Sequence, residues 1–121
     1  METATTEIAP TSQPVVKDIT PEETNQMLIT SNNTISIIDV RTPQEYASGY
    51  IRGAINIDLN SPTFKDEIGK LDKNKTYIVY CRSGSRSAAA RGIMEGLGFQ
   101  HVINMLGGVT TWEAAGLPLE K

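Results

Sequence analysis

Short runs of apolar, mostly β-branched residues alternate along the chain with polar segments that carry helix-start signals. Runs of this length and composition, bounded by turn residues, are typical of β-strands. Strands that alternate with helices favour a parallel sheet with helices on both faces, so the pattern predicts an α/β fold. The five predicted strands are Val15–Ile19, Ile35–Val40, Ala54–Ile57, Thr76–Tyr80 and Val102–Met105.

Helices are predicted between these strands by caps and by periodicity. Two segments combine a capping box with proline at the first helical position, a third has serine followed by proline, and a fourth has a capping box alone. From Ser87 to Leu97 apolar residues recur at i, i+3, i+4 and i+7, and Gly98 follows where a helix C-terminus favours glycine. The four cap signals begin at Thr20, Thr42, Ser61 and Thr110.

The length of the chain, 121 residues, suits one domain with a single core. Hydrophobic residues make up 39% and charged residues 21%, as in ordinary globular domains. The N-terminal residues are rich in Thr, Ala and Pro, and they lack the basic and apolar regions of a signal peptide. We therefore expect a disordered tail over residues 1–14 and one folded domain over residues 15–121.

The charge and the cysteine content exclude several classes of function. A net charge of −3 argues against nucleic-acid binding, and no apolar run approaches a membrane span, so we expect neither partner. A single cysteine forms neither an internal disulfide nor a zinc site with several thiolates, and it fits a reducing cytoplasm. We expect no metal and no cofactor. Against the acidic background, Arg82, Arg86 and Arg91 form a basic cluster that indicates an anionic ligand.

The segment with the clearest chemical signal follows the fourth predicted strand and reads Cys-Arg-Ser-Gly-Ser-Arg-Ser over residues 81–87. Gly84 and the serines allow a tight turn whose N–H groups converge as an anion-binding nest, and the following helix directs its positive dipole end there. Arg82 and Arg86 add positive charge. These effects would stabilise a thiolate at Cys81, by about 1.4 kcal/mol for each unit by which its pKa falls. The pattern therefore indicates a reactive thiol in an electropositive, partly exposed setting rather than an inert, buried cysteine.

A phosphate or arsenate enzyme is the alternative chemistry for a cysteine in an anion cradle. Such enzymes place an arginine six positions after the cysteine, whereas here that position is Ser87 and Arg86 comes one residue early. The shorter cradle, and the lack of a second cysteine to resolve a disulfide, disfavour this alternative.

Further motifs surround this loop in the chain. In order they are Ile38–Arg41 with Glu45-Tyr46, Gly53–Ile57, Gly107-Gly108 with Trp112, and Ala115–Pro118. Together with the loop they resemble the rhodanese family over nearly the whole of Val15 to Leu119. The resemblance implies a three-layer α/β/α fold with a five-stranded parallel sheet in the strand order 3-2-4-5-1. It also implies a cysteine that accepts sulfane sulfur from a donor such as thiosulfate and passes it to cyanide or a thiol.

By this resemblance Cys81 is the nucleophile, and the backbone N–H groups of the loop hold its persulfide. Arg82 and Arg86 would attract the anionic donor. Asp39 and Arg41, at the end of the second strand, would support the shape of the loop; the alternative is a surface ion pair of ordinary stability value. The residues implied to bind the substrate are Arg82, Ser83, Gly84, Ser85, Arg86 and Ser87.

One position departs from the family pattern. The family commonly has Gly-His-Ile before the third strand, and this chain has Tyr50 in place of the histidine. We expect the aromatic ring to pack without loss of the fold. Because a fold does not imply a function, a non-catalytic interaction module is a further alternative, although the intact Cys81 loop favours sulfur transfer.

Overall fold

The computed structural model describes residues 15–31 and 34–121, so the tail predicted over residues 1–14 lies outside the described residues. Within them, strands and helices alternate along the chain, as predicted. The strands are β1 (Val15–Ile19), β2 (Ile35–Asp39), β3 (Ile55–Asn56), β4 (Thr76–Tyr80) and β5 (His101–Met105). The helices are α1 (Pro21–Thr30), α2 (Pro43–Ser48), α3 (Phe64–Gly69), α4 (Ser85–Gly96) and α5 (Gly108–Ala114).

All strand pairs of the sheet are parallel, and the strand order is β1-β5-β4-β2-β3. Read from β3, this is the order 3-2-4-5-1, so the predicted topology is confirmed. The register places Asp39 of β2 beside Tyr80 of β4, and the residues that follow these two strands therefore meet at one edge of the sheet. In open parallel sheets this carboxyl edge is where ligands bind.

Apolar side chains cover both faces of the sheet, and the central strand β4 is buried between two helical layers. Ile78, Val79 and Tyr80 have no exposed surface. One face packs against α3 and α4, and the other packs against α1 and α5. Ala90 and Met94 of α4 are fully buried, which confirms the apolar face predicted for this helix. The molecule is a three-layer α/β/α structure, as predicted.

Two of the four predicted helix starts are confirmed. The hydroxyl of Thr20 accepts the backbone amide of Glu23 at 3.1 Å. The hydroxyl of Thr42 accepts the backbone amide of Glu45 at 3.2 Å. In both cases the glutamate side chain accepts the amide of the threonine in return, so α1 and α2 each begin with a complete capping box.

The helix start predicted at Ser61 is wrong, because α3 begins three residues later at Phe64. Ser61 instead shapes a turn ahead of the helix. Its hydroxyl accepts the amide of Thr63 at 3.2 Å, and its carbonyl accepts the amide of Phe64 at 3.1 Å. Serine followed by proline favours such a turn as readily as it favours a cap, and here the turn prevails.

The helix start predicted at Thr110 is also wrong, because α5 begins two residues earlier at Gly108. The amides of Val109 and Thr110, in its first turn, donate to the carbonyls of Cys81 and Arg82 at 2.9 and 3.0 Å. These amides would otherwise need a local cap. Since a distant loop satisfies them, the local sequence contains no cap that marks the true start.

Candidate active site

Cys81 follows β4 at the carboxyl edge of the sheet, and the chain then turns directly into α4. This helix begins at Ser85, two residues before the predicted start. Gly84, its N-cap, has a φ of +112°, a left-handed conformation that favours glycine. The Gly84 amide donates to the Cys81 Sγ at 3.0 Å, and the Ser87 hydroxyl lies 3.5 Å from the same sulfur. The loop thus directs hydrogen-bond donors at the thiol.

These contacts change the acidity of the thiol. Burial has the largest single effect and raises the pKa of Cys81. The Ser87 hydroxyl and the backbone amides of Ser87, Gly84 and Ser83 act in the opposite direction, and together they hold the pKa of Cys81 below its ordinary value. Hydrogen bonds of this kind favour the charged form of an acid. The loop therefore favours the thiolate, which is the nucleophilic form.

The exposure of the thiol differs from the expectation of a partly exposed setting. Cys81 is only 1% exposed. Its side chain belongs to the apolar cluster that includes Ala90 and Met94 of α4. On the backbone side, the amide of Val109 at the start of α5 donates to the Cys81 carbonyl at 2.9 Å. Only a slender reactant can reach a sulfur enclosed in this way.

Arg86 is bound by Glu45 of α2, a contact between distant positions that the sequence does not reveal. Two guanidinium nitrogens donate to the two carboxylate oxygens at 2.7 and 3.0 Å. Hydrogen bonding to Arg86 lowers the pKa of Glu45 to about 2, so the carboxylate is charged at neutral pH. The charge of Arg86, expected to attract an anionic donor, is therefore compensated, and the pair joins the start of α4 to α2.

Asp39 and Arg41 form an ion pair that is buried at the end of β2. The Asp39 side chain is fully buried and that of Arg41 is 5% exposed, so the alternative of a surface pair is wrong. The Asp39 carboxylate accepts the Arg41 Nη2 at 2.6 Å and the Arg41 backbone amide at 2.9 Å. Because Asp39 lies in register with Tyr80, the residue before Cys81, the buried pair lies next to the strand that carries the thiol.

Gly107 and Gly108 approach the loop from the start of α5, and the sequence alone does not reveal this contact either. A Cβ added at Gly108 would lie 2.3 Å from the carbonyl oxygen of Cys81 and 2.6 Å from that of Arg82. Both glycines have left-handed φ angles, +73° and +58°. The one signal in the sequence is the glycine pair itself, placed just after a strand at the carboxyl edge.

A cleft of about 410 Å³ opens beside the loop. Arg82, the residue after the thiol, is exposed and lines it. Across the cleft lie Val109, Thr110 and Glu113 of α5. A larger cavity, of about 550 Å³, lies against the start of β2 and contains none of the predicted site residues. Because Arg82 of the loop lines the smaller cleft, that cleft rather than the larger cavity adjoins the candidate site.

Tyr50 packs on another aromatic ring, as expected for the position that departs from the family pattern. Its ring stacks on that of Tyr46, with the ring centroids 4.3 Å apart. Its backbone bridges to Glu120 near the C-terminus. The ring of Tyr50 is thus accommodated by stacking on Tyr46.

Metal ligands and membrane-spanning segments were both expected to be absent. Across residues 15–31 and 34–121, no group of three or more His, Cys, Asp or Glu side chains is placed to hold a metal ion. No helix in the described part of the chain has both the length and the apolar character needed to cross a membrane.

Ser87→Ala should raise the pKa of Cys81, because the variant removes the hydroxyl that stabilises the thiolate. We expect the pH midpoint of alkylation by iodoacetamide to rise by about one pH unit, equivalent to one hydrogen bond to a charged group. Ser61→Ala, outside the site, is the control and should leave the midpoint unchanged. If the pH midpoint of alkylation of the wild-type protein equals the pKa of a free thiol, the loop does not stabilise the thiolate.

Comparison with known proteins gives the family of the chain. The model of the rhodanese-like domain family matches residues 20–115. A sulfurtransferase of Allochromatium vinosum is 30% identical over 105 residues, covering 87% of this chain and 95% of that protein. Thiosulfate sulfurtransferase GlpE of Ectopseudomonas mendocina is 33% identical, covering 81% and 85%. The crystal structure of a rhodanese-like domain protein from Staphylococcus aureus has a TM-score of 0.74 and 34% identity, covering 87% and 99%. This chain belongs to the rhodanese-like domain family.

Proposed function

We propose that the protein is a sulfurtransferase that carries sulfane sulfur as a persulfide on Cys81. The observation that supports this most strongly is the geometry at the thiol, where the Gly84 amide donates to the Cys81 Sγ at 3.0 Å and the Ser87 hydroxyl lies 3.5 Å from the same sulfur. Hydrogen bonds of this kind favour the thiolate, which is the nucleophilic form of cysteine. Relatives that are named sulfurtransferases, at 30% and 33% identity, support the same type of reaction.

The proposed reaction has two steps, each a displacement at sulfur. In the first, the Cys81 thiolate attacks the sulfane sulfur of the donor. With thiosulfate, a new S–S bond forms at Sγ, the S–S bond of the donor breaks, and sulfite leaves with its electron pair. In the second step, an acceptor attacks the outer sulfur and the thiolate is regenerated. Cyanide would leave as thiocyanate, and a thiol would leave as a hydropersulfide.

The loop is suited to the persulfide because the outer sulfur is a single small anionic centre. Backbone N–H groups between Arg82 and Ser87, at the start of a helix of 12 residues, supply partial positive charge without the need for a second full cation. We assign the whole substrate-binding set of Arg82, Ser83, Gly84, Ser85, Arg86 and Ser87 to this cradle. Within it, Arg82 meets the donor, and Arg86 positions the loop through Glu45.

The contact between Arg86 and Glu45 also weighs against phosphate or arsenate chemistry. A phosphoryl group on sulfur presents three outward oxygens and needs a guanidinium that can grip two of them. Both terminal nitrogens of Arg86 already bind Glu45. We therefore expect no Cys81-dependent hydrolysis of aryl phosphates.

The two arginines should have separable effects on turnover of thiosulfate with cyanide. Arg82→Ala should raise KM about three- to tenfold with little change in kcat, since it removes an exposed charge that meets the donor before reaction. Arg86→Ala should lower kcat as well, because it releases the start of α4 from α2. Glu45→Gln should reproduce the Arg86→Ala effect, and the double variant should add little to it. Equal rises in KM with unchanged kcat in both arginine variants would contradict this division of roles.

The proposed partners are a small sulfur donor and a thiophilic acceptor, either cyanide or a thiol on a small molecule or a protein. A reactive thiolate without a second cysteine is best preserved in a reducing compartment such as the cytoplasm. The enclosed position of Cys81 requires that any acceptor present its nucleophilic atom on a narrow arm.

A further inference from the structure

Tyr80, the residue before the thiol, is fully buried, and the proposed reaction gives it no role. Consecutive side chains of a strand point to opposite faces of the sheet. Cys81 therefore belongs to the apolar cluster on the side of α3 and α4, and the Tyr80 ring belongs to the cluster on the side of α1 and α5. The Tyr80 hydroxyl accepts the backbone amide of Ile51 at 3.0 Å, across 29 positions of sequence. The residue that precedes the thiol is thus tied to the loop between α2 and β3.

The loop between α2 and β3 is held at two neighbouring points. The Ile51 amide donates to Tyr80, and the Gly49 carbonyl accepts the Arg41 Nη2 at 2.5 Å. The Arg41 guanidinium carbon also lies 5.7 Å from the centroid of the Tyr80 ring, a distance at which a cation is attracted by an aromatic face. The two hydrogen bonds and the ring contact therefore join Tyr80, Arg41 and this loop into one buried network.

The Tyr80 phenol keeps its proton throughout the pH range in which a thiol titrates. Burial raises the pKa of Tyr80 above its ordinary value, and the neighbouring Asp39 carboxylate acts in the same direction. Exchange of this tyrosine for phenylalanine therefore changes no charge near Cys81. An effect of the exchange on the thiol must then come from a change of position.

Hydrogen bonds hold the backbone around Cys81 at several points. The Tyr80 carbonyl accepts the amide of Val40 at 3.0 Å, and the Cys81 carbonyl accepts the amide of Val109 at 2.9 Å. The Gly84 amide reaches the Cys81 Sγ at 3.0 Å. These bonds do not involve the face of the sheet opposite to the thiol, where the Tyr80 side chain lies. The hydrogen bond to the Tyr80 hydroxyl restrains the strand end on that face.

We infer that Tyr80 is a positioning residue for sulfur transfer, whose hydrogen bond with Ile51 fixes the end of β4 so that the Cys81 Sγ stays aligned with the donors of its loop. The inference rests on the proposed function and adds to it a residue on the face of the sheet opposite to the sulfur. A buried amide that loses its acceptor must find another through a local shift. Because the rate of a displacement depends steeply on the placement of the nucleophile, a small shift at the end of β4 is enough to lower kcat.

The test compares Tyr80→Phe with Tyr77→Phe, because the two tyrosines of β4 then lose the same group. Tyr77 is 3% exposed, and its hydroxyl donates to the Asp72 carbonyl at 2.7 Å, near the amino end of the strand. Each variant keeps its ring and loses one hydroxyl with its hydrogen bond. Both should lower the urea midpoint of unfolding by similar amounts. Kinetics are measured at a temperature at which circular dichroism shows both variants to be as folded as wild type.

Tyr80→Phe should lower kcat for thiosulfate and cyanide about three- to tenfold, equivalent to one hydrogen bond, with little change in KM. It should also raise the pH midpoint of Cys81 alkylation by roughly 0.3–0.7 pH unit, because misaligned donors stabilise the thiolate less. Tyr77→Phe should leave kcat and the midpoint at their wild-type values.

A kcat in Tyr80→Phe equal to that in Tyr77→Phe would overturn the positioning role and leave sulfur transfer standing. Wild-type protein that takes no sulfur from thiosulfate would overturn the proposed function. In that case alkylation still reports the placement of the thiol, and equal midpoints in the two variants would show that Tyr80 does not position Cys81.

Discussion

Gly108→Ala should lower kcat/KM for thiosulfate about a hundredfold and destabilise the fold by about 2–5 kcal/mol. The new Cβ would lie 2.3 Å from the Cys81 carbonyl oxygen, and the atoms it meets are backbone, which cannot swing aside as a flexible side chain could. A left-handed φ of +58° costs an alanine about 1–2 kcal/mol, and overpacking adds about 1–3 kcal/mol. Relief of the clash must move the Cys81 loop, and a shift of about 1 Å is enough to cost two orders of magnitude in rate.

The control variant Gly116→Ala separates the effect of the Cβ clash from the cost of placing alanine in a left-handed conformation. Gly116 also has a left-handed φ, +80°, but a Cβ added there meets nothing within 4 Å. This control should lose about 1–2 kcal/mol of stability and keep wild-type kcat/KM. Urea unfolding and steady-state kinetics on both variants provide the comparison. Equal effects of the two substitutions on kcat/KM would show that Gly108 does not position the thiol.

Asp39→Ala should destabilise the protein by about 3–5 kcal/mol, a large part of the 5–15 kcal/mol typical of a domain. The substitution leaves the charge of Arg41 buried without a charged partner, with only 5% of that side chain exposed and the Gly49 carbonyl still accepting its Nη2. It also removes the acceptor of the buried Arg41 backbone amide. An uncompensated buried charge is far more costly than the loss of an exposed pair. The free energy of unfolding in urea measures the effect.

The exposed ion pair between Arg52 and Glu120 is the matched control for Asp39→Ala. Its charged groups are 3.5 Å apart, and the two side chains are 86% and 42% exposed. Glu120→Ala should therefore change the free energy of unfolding by less than about 1 kcal/mol. If Asp39→Ala lowers the free energy of unfolding by less than about 1 kcal/mol, water must reach Arg41. That result would contradict a stabilising role of the buried pair at this edge of the sheet.

The elements that the sequence predicted well are those whose signals are local. The capping boxes at Thr20 and Thr42 depend on residues three positions apart, and β4 contains four consecutive apolar and aromatic residues after Thr76. The strand order came from the resemblance to a family. The loop at Cys81 was also recognisable, because glycine and serine after a strand and before a helix have a defined effect on the backbone.

The features that could not be predicted depend on contacts between distant parts of the chain. α5 begins at Gly108 because its first amides bond to the loop after Cys81. Arg86 binds Glu45, 41 positions earlier in the sequence, and that contact compensates the charge that was expected to attract a donor. The burial of the thiol likewise results from an apolar cluster that joins Cys81 to residues distant in sequence, such as Val40 and Phe64. In each case the sequence shows one residue of the contact, but it does not show which distant residue lies against it.

The most direct test of the account is intact-mass spectrometry of the protein after incubation with thiosulfate and removal of the excess donor. Wild-type protein should gain the mass of one sulfur atom, and addition of cyanide should remove it with formation of thiocyanate. Cys81→Ser should gain nothing, because its hydroxyl is not ionised at neutral pH and cannot form the persulfide. A wild-type protein that gains no sulfur, or a Cys81→Ser variant that gains as much as wild type, would contradict sulfur transfer through Cys81.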